Sequence, residues 1–282
     1  MSEQRDLTQE AEYNLRLRHP DFEGHFAVWE AESVRVREAL TCTLDVRYGD
    51  GPGMTADLFP ASESDAPIQV FIHGGYWRAM DKDVHSFPAE GIVAAGGAAV
   101  SLNYALAPAV TLETIVEQCR VAVEWIADNA DRLGGDAGRI FVSGHSAGGH
   151  LTAMMLCTDW AARGRAADLV KGGTAISGIF DLAPLMETSI NDDIRLDAAA
   201  AARNSPIHLL PVAGGAPLIA AVGAAETAAF IAQNRAFADA WRTCGYDATV
   251  IEAGGLNHYT VVMEMGRPGS ALTAAALAQM GL

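Results

Sequence analysis

Eight short runs of β-forming residues, most of them apolar throughout, constrain this chain more than any other feature. Helical stretches separate several of them. A strand that is apolar on both sides is covered on both faces, and strand–helix–strand alternation is typical of right-handed crossovers. The pattern predicts an α/β fold: a mostly parallel doubly wound sheet with helices on both faces, two antiparallel strands at the front and about six parallel strands behind. The runs occupy residues 41–48, 56–60, 68–72, 98–103, 140–143, 173–177, 218–222 and 248–252, and the helical stretches occupy residues 112–133, 147–162 and 227–244.

The 282 residues would suffice for two domains, but no repeat, charge block or Ser/Pro-rich linker divides the chain. We therefore expect a single domain over residues 1–282. Residues 1–40 carry apolar positions at helical spacing among many charges, which predicts amphipathic helices placed to cover a site. Residues 182–216 are too long for a simple loop and include an Ala-rich helical stretch at residues 197–203. This insertion is expected to form either a small helical lid or a packing element.

Charge and composition exclude several kinds of partner. The formal charge is −16 and no Lys/Arg cluster occurs, which argues against nucleic acid or an anionic membrane as a partner. The N-terminus lacks the apolar stretch of a signal peptide. Four cysteines lie far apart without metal-ligand spacing, so we expect buried thiols: Cys42, Cys119, Cys157 and Cys244. These features predict a cytoplasmic protein that acts on a small molecule, while a homo-oligomer stays open.

A G-x-S-x-G sequence follows the strand at residues 140–143 and precedes a helix. It reads Gly144-His145-Ser146-Ala147-Gly148. A sharp strand-to-helix turn strains the serine and requires small residues two positions before and after it. Ser146 is therefore the candidate nucleophile, and the N–H of Ala147 at the helix start is a candidate oxyanion donor. The alternative is a tight glycine turn that only packs the helix on the sheet.

A second glycine-containing segment, His73-Gly74-Gly75-Tyr76-Trp77, follows the strand at residues 68–72. Adjacent glycines let the backbone turn its N–H groups toward a cavity, so Gly75 and Tyr76 are the further candidate oxyanion donors. His73 is expected to hold this loop by hydrogen bonding. Trp77 is predicted either to line the substrate pocket or to fill the core.

A serine nucleophile needs a general base and a carboxylate that orients the base. The Gly-rich loop after the last predicted strand presents His258, the candidate base, and next to it Tyr259, a candidate pocket residue. Glu226 follows the preceding strand and is the preferred acid. Asp181, at the end of an earlier strand, is its rival. The chain order Ser146, Glu226, His258 is that of the α/β-hydrolase fold.

A family resemblance rests on five segments taken together: His73-Gly-Gly-Tyr-Trp77, Gly144-His-Ser-Ala-Gly148, Ser177-Gly-Ile-Phe-Asp181-Leu, Asn204-Ser-Pro206 and the His258 loop. Over residues 65–265 the chain resembles the serine-type arylformamidases (kynurenine formamidases) and their hormone-sensitive-lipase-like esterase relatives. The resemblance implies an α/β-hydrolase that cleaves small N-formyl-arylamine or carboxylic ester substrates without a metal or organic cofactor. It also implies Ser146 as nucleophile, Glu226 as acid and His258 as base. Tyr76 in place of a third glycine, and Glu rather than Asp as acid, favour the formamidase side.

The sequence therefore allows three functions: those of an arylformamidase, a short-chain carboxylesterase and a non-catalytic ligand-binding homologue. The first two are serine hydrolases that work through an acyl-enzyme, and the first is preferred. The third is disfavoured because no member of the Ser/Glu/His set and neither oxyanion segment is missing. A metal-dependent hydrolase is disfavoured as well, since the sequence has no H-E-x-x-H and no clustered His/Asp ligands.

Overall fold

The computed structural model describes residues 5–211 and 214–282. Within these residues eight strands form one sheet. The strands are β1 Thr43–Arg47, β2 Thr55–Phe59, β3 Ala66–Ile72, β4 Ala98–Leu102, β5 Gly135–His145, β6 Val170–Ile176, β7 Leu218–Gly223 and β8 Ala248–Ala253. Their order in the sheet is β1-β2-β4-β3-β5-β6-β7-β8. The β1–β2 and β2–β4 pairs are antiparallel and all other pairs are parallel, which confirms the predicted α/β class.

Helices cover both faces of the sheet. All seven residues of β3 are buried, as an apolar strand in the middle of a doubly wound sheet requires. The helices are α1 Leu7–Tyr13, α2 Leu15–Arg18, α3 Phe22–Ala39, α4 Ala89–Ala94, α5 Leu112–Asp128, α6 Ala147–Leu156, α7 Asn191–Ile194, α8 Ala198–Arg203, α9 Ala228–Thr243, α10 His258–Val261 and α11 Ala271–Met280. Helices α4 and α11 contact each other, and so do α5 and α6.

The N-terminal helices α1, α2 and α3 lie where the amphipathic pattern predicts helices. In α3 the core-facing side includes Trp29 and Val36, which are seven residues apart and therefore share one helix face. Val34 is 40% exposed. It is five residues from Trp29, about 140° around the helix, and so faces away from the core.

The N-terminal helices are tied to the insertion that follows β6. The side chain of Asn14 donates to Glu10 Oε1 at 2.7 Å and to Ser189 Oγ at 3.2 Å. The backbone N–H of Asp6 donates to the carbonyl of Glu187 at 3.2 Å. Both parts, residues 5–39 and 183–211, contribute residues to the cavity that Ser146 lines, and we call them the cover.

The Ala-rich stretch of the insertion is helix α8. Asp197 precedes it as the N-cap, and its carboxylate accepts from the N–H of Ala200 at 2.7 Å. The predicted insertion also includes residues 212 and 213, which lie outside the described residues, as do residues 1–4 of the predicted N-terminal segment.

The cysteines are all free, and one of them departs from the prediction. Cys119 is buried, Cys42 and Cys157 are partly buried, and Cys244 is exposed. Cys244 lies at the C-terminal end of α9, where the chain turns at Gly245, so no layer covers it. None of the helices in the described residues is long and apolar enough to cross a membrane.

Candidate active site

The predicted nucleophile stands on a strained turn between β5 and α6. Ser146 has φ +58° and ψ −116°, a conformation that L residues rarely adopt. A Cβ atom on Gly148 would lie 1.9 Å from the carbonyl oxygen of Ile72, so only glycine lets α6 approach β3 this closely. The turn leaves Ser146 almost buried, at 3% exposure, and lining a cavity.

The predicted acid and base are in direct contact. His258 Nδ1 lies 2.6 Å from Glu226 Oε2. The other oxygen of the carboxylate, Oε1, accepts from Ser177 Oγ at 2.5 Å and from the N–H of Gly223 at 2.7 Å. Both residues are buried. Because Nδ1 faces a carboxylate, it carries the imidazole proton, and Nε2 is left as the basic nitrogen.

A capping box fixes the start of α10, the helix that begins at His258. Asn257 Oδ1 accepts from the N–H groups of Tyr259 and Thr260 at 2.9 and 3.0 Å, and Thr260 Oγ1 accepts from the N–H of Asn257 at 2.9 Å. These reciprocal bonds satisfy orphan donors of the first turn. His258 is consequently the first residue of a fixed helix, and this position turns its side chain toward Glu226.

The rival acid, Asp181, is held elsewhere. Its carboxylate accepts from the N–H of Ala183 at 3.0 Å, and its backbone exchanges hydrogen bonds with the side chain of Gln233. Within the described residues it makes no hydrogen bond or ion pair with His258. Ser177, at the end of the same strand, donates instead to the carboxylate of Glu226, the preferred candidate acid.

The loop after β3 presents unpaired N–H groups to the cavity. Gly75 and Tyr76 line the cavity together with Ser146. Neither of their N–H groups donates a hydrogen bond within the described residues. Gly75 has φ +109°, and a Cβ there would lie 2.1 Å from the carbonyl oxygen of Ala79, which explains the glycine. The N–H of Ala147, the first residue of α6, has no acceptor one turn earlier, so three donors are available.

Two further residues of this loop region have structural roles. His73 is fully buried, with Nδ1 at 2.7 Å from the carbonyl oxygen of Gly74 and Nε2 at 3.0 Å from Asn103 Oδ1. This is the loop-holding position expected of it. Trp77 is also fully buried, and its Nε1 donates to His150 Nδ1 at 3.2 Å. Trp77 does not line the cavity, so of its two predicted roles the structure gives it that of a core residue.

Tyr259 lines the cavity among aromatic side chains from the cover. Its ring lies 5.8 Å from that of Phe26 and 6.0 Å from that of Trp29. Trp29 Nε1 donates to the carbonyl of Tyr259 at 3.1 Å. Burial raises the pKa of Tyr259 to about 12, so the phenol stays protonated. This part of the cavity wall is therefore aromatic, and Tyr259 adds no negative charge to it.

A second histidine, His145, contacts the predicted base. Its Nε2 lies 2.9 Å from the carbonyl oxygen of His258, and the two rings are 4.5 Å apart. A carbonyl oxygen only accepts, so His145 Nε2 carries the proton. Burial, and then the neighbouring His258, hold the pKa of His145 well below its usual range. The sequence motif marks this position as variable and gives no signal for the contact.

The cavity is small. Its volume is about 50 Å³, a few times the 10–15 Å³ or so that one water molecule requires. Ser146, His258 and the oxyanion loop line one part of it, which we call the inner end, and residues of the cover, including the exposed Arg16, line the remaining part, the outer end. In the described residues no three His, Cys, Asp or Glu side chains are grouped so as to hold a metal ion. The arrangement suits nucleophilic attack on a small acyl group.

The family model and the similar proteins agree on one family. A family model described as alpha/beta hydrolase fold matches residues 69–262. The kynurenine formamidase of Danio rerio is 28% identical over 264 residues, which cover 92% of this chain and 88% of that protein. A candidate thioesterase from Silicibacter sp. TM1040 has a TM-score of 0.82 and 30% identity, with 95% of this chain and 98% of that chain covered. A carboxylesterase of Mycobacterium tuberculosis is 37% identical over 97 residues, which cover 34% of this chain and 30% of that protein.

Proposed function

This chain belongs to the α/β-hydrolase family and is a hydrolase of the hormone-sensitive-lipase-like type, and we propose that it cleaves small N-formyl arylamines through an acyl-enzyme on Ser146. The observation that carries the proposal is the 2.6 Å contact between His258 Nδ1 and Glu226 Oε2 beside Ser146. In this proposal Ser146 is the nucleophile, His258 the general base and Glu226 the acid that orients it.

The first half of the reaction forms the formyl-enzyme. His258 Nε2 takes the proton of Ser146 Oγ while this oxygen attacks the formyl carbon. The carbonyl oxygen becomes an oxyanion, which the N–H groups of Gly75, Tyr76 and Ala147 stabilise. The C–N bond then breaks as the His258 imidazolium gives its proton to the amine nitrogen. The neutral arylamine leaves, and the formyl group stays on Ser146 as an ester.

The second half releases formate. A water molecule gives one proton to His258 Nε2, and its oxygen attacks the formyl ester. The second tetrahedral intermediate uses the same three N–H donors. When it collapses, Ser146 Oγ takes the proton back from His258, formic acid leaves and ionises to formate in water, and the enzyme returns to its starting state.

One observation favours a formamide over a larger ester. The kynurenine formamidase of Danio rerio aligns with 92% of this chain, whereas the Mycobacterium tuberculosis carboxylesterase aligns with 34%. Short-chain carboxylesterase activity is the second candidate, because the carboxylesterase alignment has the higher identity, 37% against 28%.

The test compares two substrates on one preparation. We expect kcat/KM for N-formylkynurenine to exceed that for phenyl acetate, with formate and arylamine released in equal amounts. Ser146→Ala should reduce both activities by about 10⁴-fold or more. Phenyl acetate turnover with negligible formamide cleavage would instead assign a carboxylesterase. Absence of both activities, together with no covalent labelling of Ser146 by a fluorophosphonate, would leave a non-catalytic ligand-binding homologue.

A further inference from the structure

The outer end of the cavity is built by the N-terminal part of the cover. Asn14, Leu15 and Arg16 from the α1–α2 region, with Phe26 and Trp29 from α3, complete its lining. The formyl group has to lie at the inner end, beside Ser146. The leaving arylamine therefore extends toward these cover residues, which makes them the part of the protein that selects the leaving group.

The aromatic side chains of this outer end suit a planar ring. Phe26 and Trp29 are 5.2 Å apart between ring centroids, and both pack against Tyr259. These rings hold each other in edge and tilted contacts, so their positions are fixed before a ligand enters. An aryl leaving group gains apolar contact there without reorganising the wall.

Among the charged and amide donors at this end, Arg16 is the one without an acceptor. The amide of Asn14 is used by Glu10 and Ser189, and the guanidinium of Arg78 is paired with Asp193. Arg16 makes no hydrogen bond or ion pair within the described residues. Its guanidinium instead lies over the ring of Phe22, 5.0 Å from the centroid.

That stacking leaves the N–H edge of Arg16 free for a ligand, because a guanidinium can stack on one face and still donate in its plane. Its charge is also felt inside the cavity, since Arg16 opposes the rise that burial causes in the pKa of Tyr259. Asp21 acts on Tyr259 in the opposite direction, but Asp21 does not line the cavity. Arg16 is thus an unpaired cation at the outer end of the cavity, in a chain whose net charge is −16.

We propose that Arg16 is a specificity-determining residue which binds a carboxylate on the arylamine part of the substrate. The preferred substrates are then aryl formamides that carry an anionic group on the side away from the formyl carbon. This inference rests on the proposed formamidase function and adds the charge of the leaving group to it. A guanidinium matches a carboxylate with two parallel N–H···O bonds, which gives orientation as well as attraction.

The test uses two substrates that differ only in this charge, N-formylkynurenine and its α-carboxamide, with Arg16→Gln. We expect KM for N-formylkynurenine to rise about 3- to 5-fold while kcat changes less than about twofold, as for an exposed ion pair. Both constants for the carboxamide should stay unchanged. Arg18→Gln is the matched control, because Arg18 is exposed on the same short helix and does not line the cavity. It should behave as the wild type.

The outcomes separate this inference from the proposed function. A wild type that cleaves neither formamide would refute both. A wild type that cleaves them, with Arg16→Gln indifferent to the carboxylate, would refute the inference alone. Equal losses on both substrates would also refute it, since they would show a structural role of Arg16. Thermal unfolding of each variant, compared with that of the wild type, identifies such a structural effect directly.

Discussion

Replacing Glu226 by Gln tests the proposed charge arrangement with a change of one atom. Oε1 of Glu226 accepts from two donors, Ser177 Oγ and the N–H of Gly223. A backbone N–H can only donate, so the amide oxygen of Gln has to occupy this site. The amide NH₂ then faces His258 Nδ1, where Glu226 Oε2 now lies at 2.6 Å. His258 must move its proton to Nε2, and it can no longer accept a proton from Ser146.

The expected loss is large and confined to turnover. A histidine held in the wrong tautomer costs about 10⁴-fold in kcat, or about 5.5 kcal/mol of transition-state stabilisation. KM for N-formylkynurenine should stay within about threefold, because Glu226 does not line the cavity. The assay is steady-state release of the arylamine followed by absorbance. Circular dichroism on the same samples checks that the variant is folded.

The matched control is Asp181→Asn. The carboxylate of Asp181 accepts from the N–H of Ala183, an interaction that the amide oxygen of Asn preserves, so kcat should change less than about twofold. Retention of more than a tenth of the wild-type kcat by Glu226→Gln would refute the reasoning. A comparable loss in Asp181→Asn would also contradict it, because it would make Asp181 the acid.

Two further predictions concern stability. Lys82 is 2% exposed, and its ammonium lies 3.0 Å from the carboxylate of the equally buried Asp57. Lys82→Met should therefore lower the free energy of unfolding, measured in urea, by about 3–5 kcal/mol. Lys171→Met, at a surface pair, should change it by less than about 0.5 kcal/mol, and equal effects of the two substitutions would contradict the burial argument. Burial lowers the pKa of His150 to about 4 from an ordinary value of 6.5, so the unfolded chain binds this proton first and stability falls as the pH drops from about 6.5 to 4. Between pH 6.5 and pH 4.5 the free energy of unfolding of the wild type should fall by about 2–3 kcal/mol more than that of His150→Gln. If urea unfolding gave the same pH dependence for both proteins, this histidine would not contribute.

Much of the fold and the location of the site could be predicted because parallel strands place their carboxyl ends at one edge. Ser146 and His258 are more than a hundred residues apart, yet each follows a strand of the same sheet. The serine turn could be recognised in the sequence because it requires glycine: a side chain on Gly148 would collide with β3. Local chemistry and strand order are therefore sufficient to bring these positions together.

The contacts that refine the site could not be predicted, because they depend on side-chain direction rather than on spacing. Ser177 belongs to a recognisable segment, but nothing in that segment indicates that its hydroxyl bonds Glu226. His145 occupies the variable position of its motif, and its bond to the carbonyl of His258 spans 113 residues. The exposure of Cys244 likewise depends on where α9 ends relative to its neighbours.

The hydrogen bond from Trp29 to the carbonyl of Tyr259 joins residues that are 230 positions apart. On a ribosome that adds about 5–20 residues per second, helix α3 waits roughly 10–50 s for this partner. During that interval α3 can already contact the segment after β3, where the N–H of Ser86 donates to Ser33 Oγ at 3.0 Å, but Trp29 lacks its hydrogen-bond acceptor. Tyr259 directly follows His258, so the acceptor of Trp29 and the proposed base emerge together. A chain that ends before this pair lacks both.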